Sequence, residues 1–271
     1  MSSMATDDGI KPYTIRVSKG AALLPETRVL LQEWIPGEDT NAFADRVLSR
    51  DLLGKATARR VQDLVLRCFA PRYLAPPGCP AKHLKRLVLN HPSGDWFRDL
   101  CLIYAARADR LVRDGVTVFL AGARDEGRLT LTVDSAIEFL VEAERNGMMA
   151  TPWANETKRK IARGLLKVLT EFGLLSNSSR KAKEIRLFEP HPLAVAYLAF
   201  EMHFSGVTDA TIPENQDWSL WMLTREDVRE RLDELSRYGL WVFQAAGTVV
   251  RVTWNVSSME EAVNVLAGLD I

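Results

Sequence analysis

Arg128-Leu-Thr-Leu-Thr-Val-Asp-Ser-Ala-Ile-Glu-Phe-Leu-Val-Glu-Ala-Glu-Arg145, then Asn146-Gly147, then Asn155-Glu-Thr-Lys-Arg-Lys-Ile-Ala-Arg-Gly-Leu-Leu-Lys-Val-Leu-Thr-Glu-Phe172, is the stretch that decides the fold of this chain. Arg128 to Val133 alternates polar and apolar residues, the pattern of a short half-buried strand. Asp134 is placed to cap a helix to about Arg145, with Ile137, Phe139, Leu140 and Val141 as packing residues, and Asn146-Gly147 ends it. After turn material from Thr151, Asn155 is placed to cap a second helix, Glu156 to Phe172, which Gly173 stops. Leu174-Leu175 and Glu184 to Phe188 then pair as strands, with Ser176 to Lys183 as the wing between them. Strand, helix, turn, helix, hairpin is the winged-helix order. The expected fold is therefore mainly α: a helical bundle with helix-turn-helix and winged-helix modules and small β-hairpin wings.

The second helix separates its chemistry by face. At about 100° per residue, Ile161, Leu165, Val168 and Phe172 share one side, and Arg159, Lys160, Arg163 and Lys167 occupy the opposite arc. Between Thr151 and Lys183 eight basic residues, among them Lys158 and the wing residues Arg180, Lys181 and Lys183, stand against Glu156 and Glu171. A solvated face on an ordinary core helix is the plain alternative. One sign of charge, recurring in the wing, favours a phosphate-binding footprint and hence double-stranded DNA.

Composition bounds the rest. With 271 residues, 47% hydrophobic, 26% charged and a formal net charge of zero, the chain suits a soluble protein of two or three small domains. Its longest apolar runs, such as Leu193 to Phe200, fall well short of the roughly 20 residues a spanning helix needs, so no membrane segment is expected. Met1 to Gly9 is polar and acidic without an apolar signal core, and Cys68, Cys79 and Cys101 form no CxxC pair. Both observations point to the cytoplasm.

The expected organisation is a disordered tail (1–12), an N-terminal helical region with a helix-turn-helix outline (13–90), a central helical and winged-helix domain (91–190) and an acidic C-terminal module (191–271). In the N-terminal region, Lys19 to Trp34 suits a buried helix broken at Pro25, and Thr40 or Asn41 caps the next. Thr57 caps a helix that ends before Pro71, burying Val61, Leu64, Val65, Cys68 and Phe69 and presenting Arg59, Arg60 and Arg67. Between Arg46 and Arg72 seven basic residues, including Lys55, oppose Asp51 and Asp63, a second positive surface. Ser93 caps a long core helix carrying Trp96, Phe97, Leu100, Tyr104 and Leu111, which Asp114-Gly115 breaks; Val116 to Ala121 reads equally as strand or helix. Near the end, a Thr224-capped helix, a hairpin across Ala246-Gly247 and a capping box at Ser257-Ser258-Met-Glu260 repeat the winged-helix outline. Its charge is reversed: from Glu214 to Ile271 five basic residues face ten acidic ones, which repels phosphate and suits a structural or protein-contact module.

Catalytic constellations are lacking. The chain has no Walker-type loop, GxGxxG, GxSxG or HExxH, and its four histidines lack metal-ligand spacing, so neither metal nor cofactor is expected. Glu156-Thr-Lys158, with Asp134 as a distant acidic partner, matches a short nuclease element. A dipole-complementing Glu156 and a Lys158 belonging to the basic cluster account for the same residues.

Thr157-Lys-Arg-Lys-Ile-Ala-Arg-Gly-Leu-Leu-Lys-Val-Leu-Thr-Glu-Phe-Gly-Leu-Leu175, with Gly54-Lys-Ala-Thr-Ala-Arg-Arg60 upstream, resembles the BrxA family of bacteriophage exclusion (BREX) defence systems, over about Tyr13 to Phe200. The resemblance implies a largely helical protein with two helix-turn-helix motifs beside positive surfaces that bind double-stranded DNA. By position those motifs fall on Arg59, Arg60 and Arg67, and on Arg159, Lys160, Arg163 and Lys167. It implies further that the acidic module after Pro213 is an addition. The function expected is a non-enzymatic, DNA-binding accessory subunit of an anti-phage system that works with its methyltransferase and ATPase components. A protein-binding assembly scaffold and a transcription regulator are the competing classes.

Overall fold

The computed structural model describes residues 12–18, 22–54, 57–177, 182–246 and 249–269. Residues 1–11 of the expected tail lie outside them. The chain forms two compact units, each assembled from two separate parts: Met1–Ala21 with Asp109–Arg186, and Ala22–Ala108 with Leu187–Ile271. The chain-order division is thereby corrected. Segments 13–90 and 191–271 share most of one unit, because helices near both ends of the chain complete each other's apolar faces.

The unit that begins at Ala22 opens with α1 (Leu24–Glu33), where Pro25 occupies the first turn and starts the helix instead of breaking it. The cap of α2 (Thr40–Ser49) is Asp39, not Thr40 or Asn41; its carboxylate accepts from the Asn41 and Ala42 N–H groups. Thr57 caps α3 (Ala58–Gln62) as expected, accepting from Arg60 N–H at 3.2 Å. This helix does not end before Pro71. It continues as a π-helix, Asp63–Leu74, whose wider turn carries the chain past a residue that has no N–H for an α turn. The face read from sequence, Val61, Leu64, Val65, Cys68 and Phe69, is buried. Then follow α4 (Pro80–Asn90) and α5 (Trp96–Ala108), with Trp96, Phe97, Leu100 and Tyr104 in the core.

The break expected at Asp114-Gly115 falls at Asp109 instead. Its side chain accepts from Leu111 N–H and caps α6 (Arg110–Asp114). The helix then runs on through π turns, Gly115–Leu120, into α7 (Ala121–Asp125), so the ambiguous stretch is helical. Next come β1 (Thr130–Thr132) and α8 (Val133–Arg145). The cap of α8 is Thr132, not Asp134, because Thr132 and Ser135 satisfy each other's backbone N–H groups in a capping box. Ala154, with no side-chain bond, precedes α9 (Asn155–Glu171), so Asn155 is its first residue and not its cap. The strands β2 (Leu175–Asn177) and β3 (Ala182–Ile185) complete an antiparallel sheet in the order β1-β3-β2. The strand before the helix pair therefore pairs with the far strand of the hairpin, Leu131 opposite Lys183. The tip of the expected wing, 178–181, lies outside the described residues.

The chain then returns to the other unit. Here α10 (Pro192–Phe204) is buried nearly all round, which explains the apolar run Leu193 to Phe200 as a central helix. No helix of the described residues is long and apolar enough to cross a membrane. Two 3₁₀ turns lead to α11 (Arg225–Ser236), the hairpin β4 (Trp241–Ala246) and β5 (Val249–Trp254), and α12 (Met259–Ala267). Among the described residues β4 and β5 pair only with each other, and no strand precedes α11 as β1 precedes α8. The turn at 247–248 lies outside the described residues. Ser258 caps α12, but its capping partner is Glu261, which accepts from Ser257 N–H, and not Glu260.

The acidic segment is part of its unit's core. Trp218, Trp221 and Trp241 are fully buried, and Trp221 Nε1 donates to the Asp99 carbonyl at 3.2 Å. Arg107 on α5 lies between Glu201 and Asp217, 2.8 Å from each, and His91 on α4 sits 2.9 Å from the Leu266 carbonyl. Removing residues 214–271 is therefore expected to abolish cooperative unfolding of this unit, measured by calorimetry. The single change Trp221→Ala should cost about 3–5 kcal/mol, as deletion of a core aromatic does. A truncation that keeps the parent melting temperature would overturn this placement.

Candidate nucleic-acid interface

Helix α9 turns Ile161, Leu165, Val168, Leu169 and Phe172 inward, each burial contributing roughly 1.5–3 kcal/mol. Arg159, Lys160, Arg163 and Lys167 are exposed on its other side, as the periodicity predicts. Lys167 Nζ stands 3.5 Å from Glu171, an exposed pair that shares part of its charge.

Lys158 departs from the count of basic residues. It is buried, and its ammonium donates to Glu144 Oε2. Glu144 Oε1 in turn accepts from the Trp153 N–H at 3.1 Å. The hydrogen bond from Lys158 holds the Glu144 carboxyl below its ordinary value. This carboxylate thus fastens the last turn of α8 to the connecting turn and to the first turn of α9. It also removes Lys158 from the nuclease-like element: Glu156 and Asp134 are exposed, and the lysine two residues after Glu156 is bonded to Glu144.

Two glycines let other segments close on α9. A Cβ at Gly115 would lie 2.6 Å from Leu165 Cδ1, and one at Gly164 would lie 3.1 Å from Val17 Cγ1 and 3.3 Å from the Val17 carbonyl. The 3₁₀ turn Ile15–Ser18 therefore rests against the middle of α9. Tyr13 anchors that turn, donating its N–H to the Met148 carbonyl and its hydroxyl to Asp114 Oδ2, both at 2.7 Å. Glu144 and Tyr13 have no role assigned from the sequence, because what each does depends on other segments: Trp153 and Lys158 for Glu144, Met148 and Asp114 for Tyr13.

In the wing, Lys183 is half-buried on β3 and donates to the Asn177 side chain. Arg180 and Lys181 lie outside the described residues.

The second basic surface is thinner than its charge count. Arg59 is exposed and Arg60 half-buried, while Arg67 pairs with Asp63 at 3.2 Å. Arg46 binds both carboxylate oxygens of Glu38, at 2.6 and 2.8 Å, and Arg72 is buried. Lys55 lies outside the described residues. The histidines serve packing and capping: His191 Nδ1 accepts from Leu193 N–H at 3.2 Å, and His203 stacks on Trp254.

A basic helix face held beside a small antiparallel wing, in a mainly helical chain, defines the class of protein: a helical protein with a charged presenting surface. The BrxA family model matches residues 11–201, most of the chain, and the chain belongs to this family of bacteriophage exclusion (BREX) defence components. No curated protein matches it.

The two neighbouring lysines separate structure from surface. Lys158→Glu sets two carboxylates face to face and should lower the melting temperature measurably, whereas Lys160→Glu should leave it unchanged. Because Glu144 titrates below its ordinary value of 4.5, the pair's contribution is present above that pH and is lost as pH falls through the lower folded value. The gap between the Lys158→Glu variant and the parent chain should accordingly narrow in acid, which thermal unfolding against pH will show.

Proposed function

We propose that this chain is a non-enzymatic, double-stranded DNA-binding accessory subunit of a BREX defence system, acting in the cytoplasm beside the system's methyltransferase and ATPase components. The unit containing α9 is read as a winged helix, with α8 and α9 as its helix-turn-helix and α9 as the element that enters the major groove. That groove, about 12 Å wide, admits a helix. The observation carrying this proposal is the division of α9: an apolar side in the core, and opposite it Arg159, Lys160 and Arg163 exposed beside Lys167. Cations so arranged meet phosphates and position a duplex without specifying its sequence. Lys183, Arg180 and Lys181 in the wing would extend the contact. Lys55, Arg59, Arg60 and Arg67 would form a weaker second surface, since several of the cations counted there are buried or paired.

Binding to unrelated duplexes, followed against salt, tests the proposal. Three to four phosphate contacts through α9 predict a slope of log affinity on log salt of about −3 to −4, and Arg159→Glu with Arg163→Glu should flatten it by about 2. Affinity should fall at least about tenfold for every sequence alike, with the melting temperature unchanged. Arg59→Glu with Arg60→Glu should produce a smaller loss. An assembly scaffold predicts no duplex binding at all, and a transcription regulator predicts strong preference for one sequence; either result would replace this proposal.

A further inference from the structure

On the unit that carries α9, a groove runs between α8 and the helix formed by α6, its π continuation and α7. It holds about 540 Å³ and is open to solvent along its length. Its floor is apolar: Phe119 stacks on Phe139 with ring centres 5.1 Å apart, and Ile137 and Val141 are only half-buried beside them. Val118, on the edge, is 55% exposed. Gly122 lines the groove, and a Cβ there would meet nothing within 4 Å.

The walls carry three carboxylates and two guanidinium groups, an excess of negative charge. Glu138 and Glu142 are exposed one turn apart on the α8 wall, Asp134 continues their row one turn earlier on the helix, beyond the groove lining, and Glu126 stands on the opposite wall. Two arginines join them, Arg128 at 2.5 Å from Glu126 and Arg145 at 3.4 Å from Glu142, so the excess negative charge rests on Glu138, with Asp134 next to it in the row along α8.

We propose that this groove is a docking site for a partner-protein helix with an apolar ridge flanked by lysine or arginine. Charge selects that occupant. A nucleic acid would bring phosphates to a row of carboxylates. A second copy of the chain meeting this face across a two-fold axis would set the same row against itself. The basic side of α9 from another copy offers no apolar residues to fill the floor, its exposed positions being charged. A helix laid in a groove by its apolar ridge, with basic flanks toward the carboxylates, satisfies both features. The groove is formed without any part of the cationic side of α9, so the site does not depend on the reading of α9 as a DNA-binding helix.

The probe is a synthetic fluorescein-labelled amphipathic peptide with a leucine ridge and lysine flanks, titrated with the full chain by anisotropy beside a twin carrying glutamate flanks. The lysine peptide should bind saturably and at least about tenfold more tightly than its twin. Gly122→Leu fills the groove at a helical position with room for the side chain, and Glu138→Lys with Glu142→Lys reverses the wall. Each should weaken binding about tenfold or more without lowering the melting temperature. Failure of the lysine peptide to saturate, or equal binding of the two peptides, would overturn the proposal. So would binding seen only after residues 1–11 are removed, which would assign the groove to the chain's own leading segment. Concentration-dependent dimerisation abolished by Gly122→Leu would likewise overturn it and assign the groove to a second copy.

Discussion

One carboxylate sets the geometry on which the basic face depends. Glu144 receives the Trp153 N–H on one oxygen and the Lys158 ammonium on the other, so α8, the connecting turn and α9 meet at a single side chain. A carboxylate accepting charge-assisted bonds from both sides is a stiff joint. Around it, Tyr13 ties the 3₁₀ turn to Met148 and Asp114, and Gly115 and Gly164 permit the close approaches that hold the buried side of α9. The cationic residues of α9 make none of these contacts. They point away from the core because everything on the opposite side is committed to it.

In the other unit, the corresponding constraint is the cluster around Arg107. Two carboxylates from different parts of the chain converge on one guanidinium, and the Tyr104 hydroxyl, which lies 3.0 Å from that of Tyr197, donates to Glu201. The family match ends at residue 201, inside α10, and Asp217 beyond it completes the cluster. The acidic C-terminal segment is thus not an attachment to a finished fold. It supplies three buried tryptophans and one of the two anions that Arg107 requires.

Much of the fold was legible because the signals are periodic. The faces of α3 and α9 and the capping role of Thr57 follow from spacing that any neighbouring chain would leave unchanged, and so does the presence of a hairpin after α9, although its strands take Ser176–Asn177 and Ala182–Lys183 from the expected wing and leave out residues 186–188. Misreadings arose where two local solutions compete. Thr132 displaces Asp134 as a cap because Ser135 can return its bond, and Asp39 displaces Thr40 by reaching two N–H groups at once. Pro71 stops no helix because the turns there widen to π geometry, a choice settled by the buried side chains around it.

The sequence by itself determined the helical class, the sidedness of α9, the family and the candidate cations Arg159, Lys160, Arg163 and Lys167, since periodicity and charge are properties of the chain alone. Tertiary structure decided which charges face solvent. Lys158 and Lys160 differ in sequence only by position, yet Lys158 is buried and bonded to Glu144; likewise Arg46 is held by Glu38, and Arg72 is buried. It also decided that residues far apart in the chain build one unit. A charge count knows a residue's sign, but its partner and its exposure depend on contacts between distant segments, and those exist only once the chain has folded.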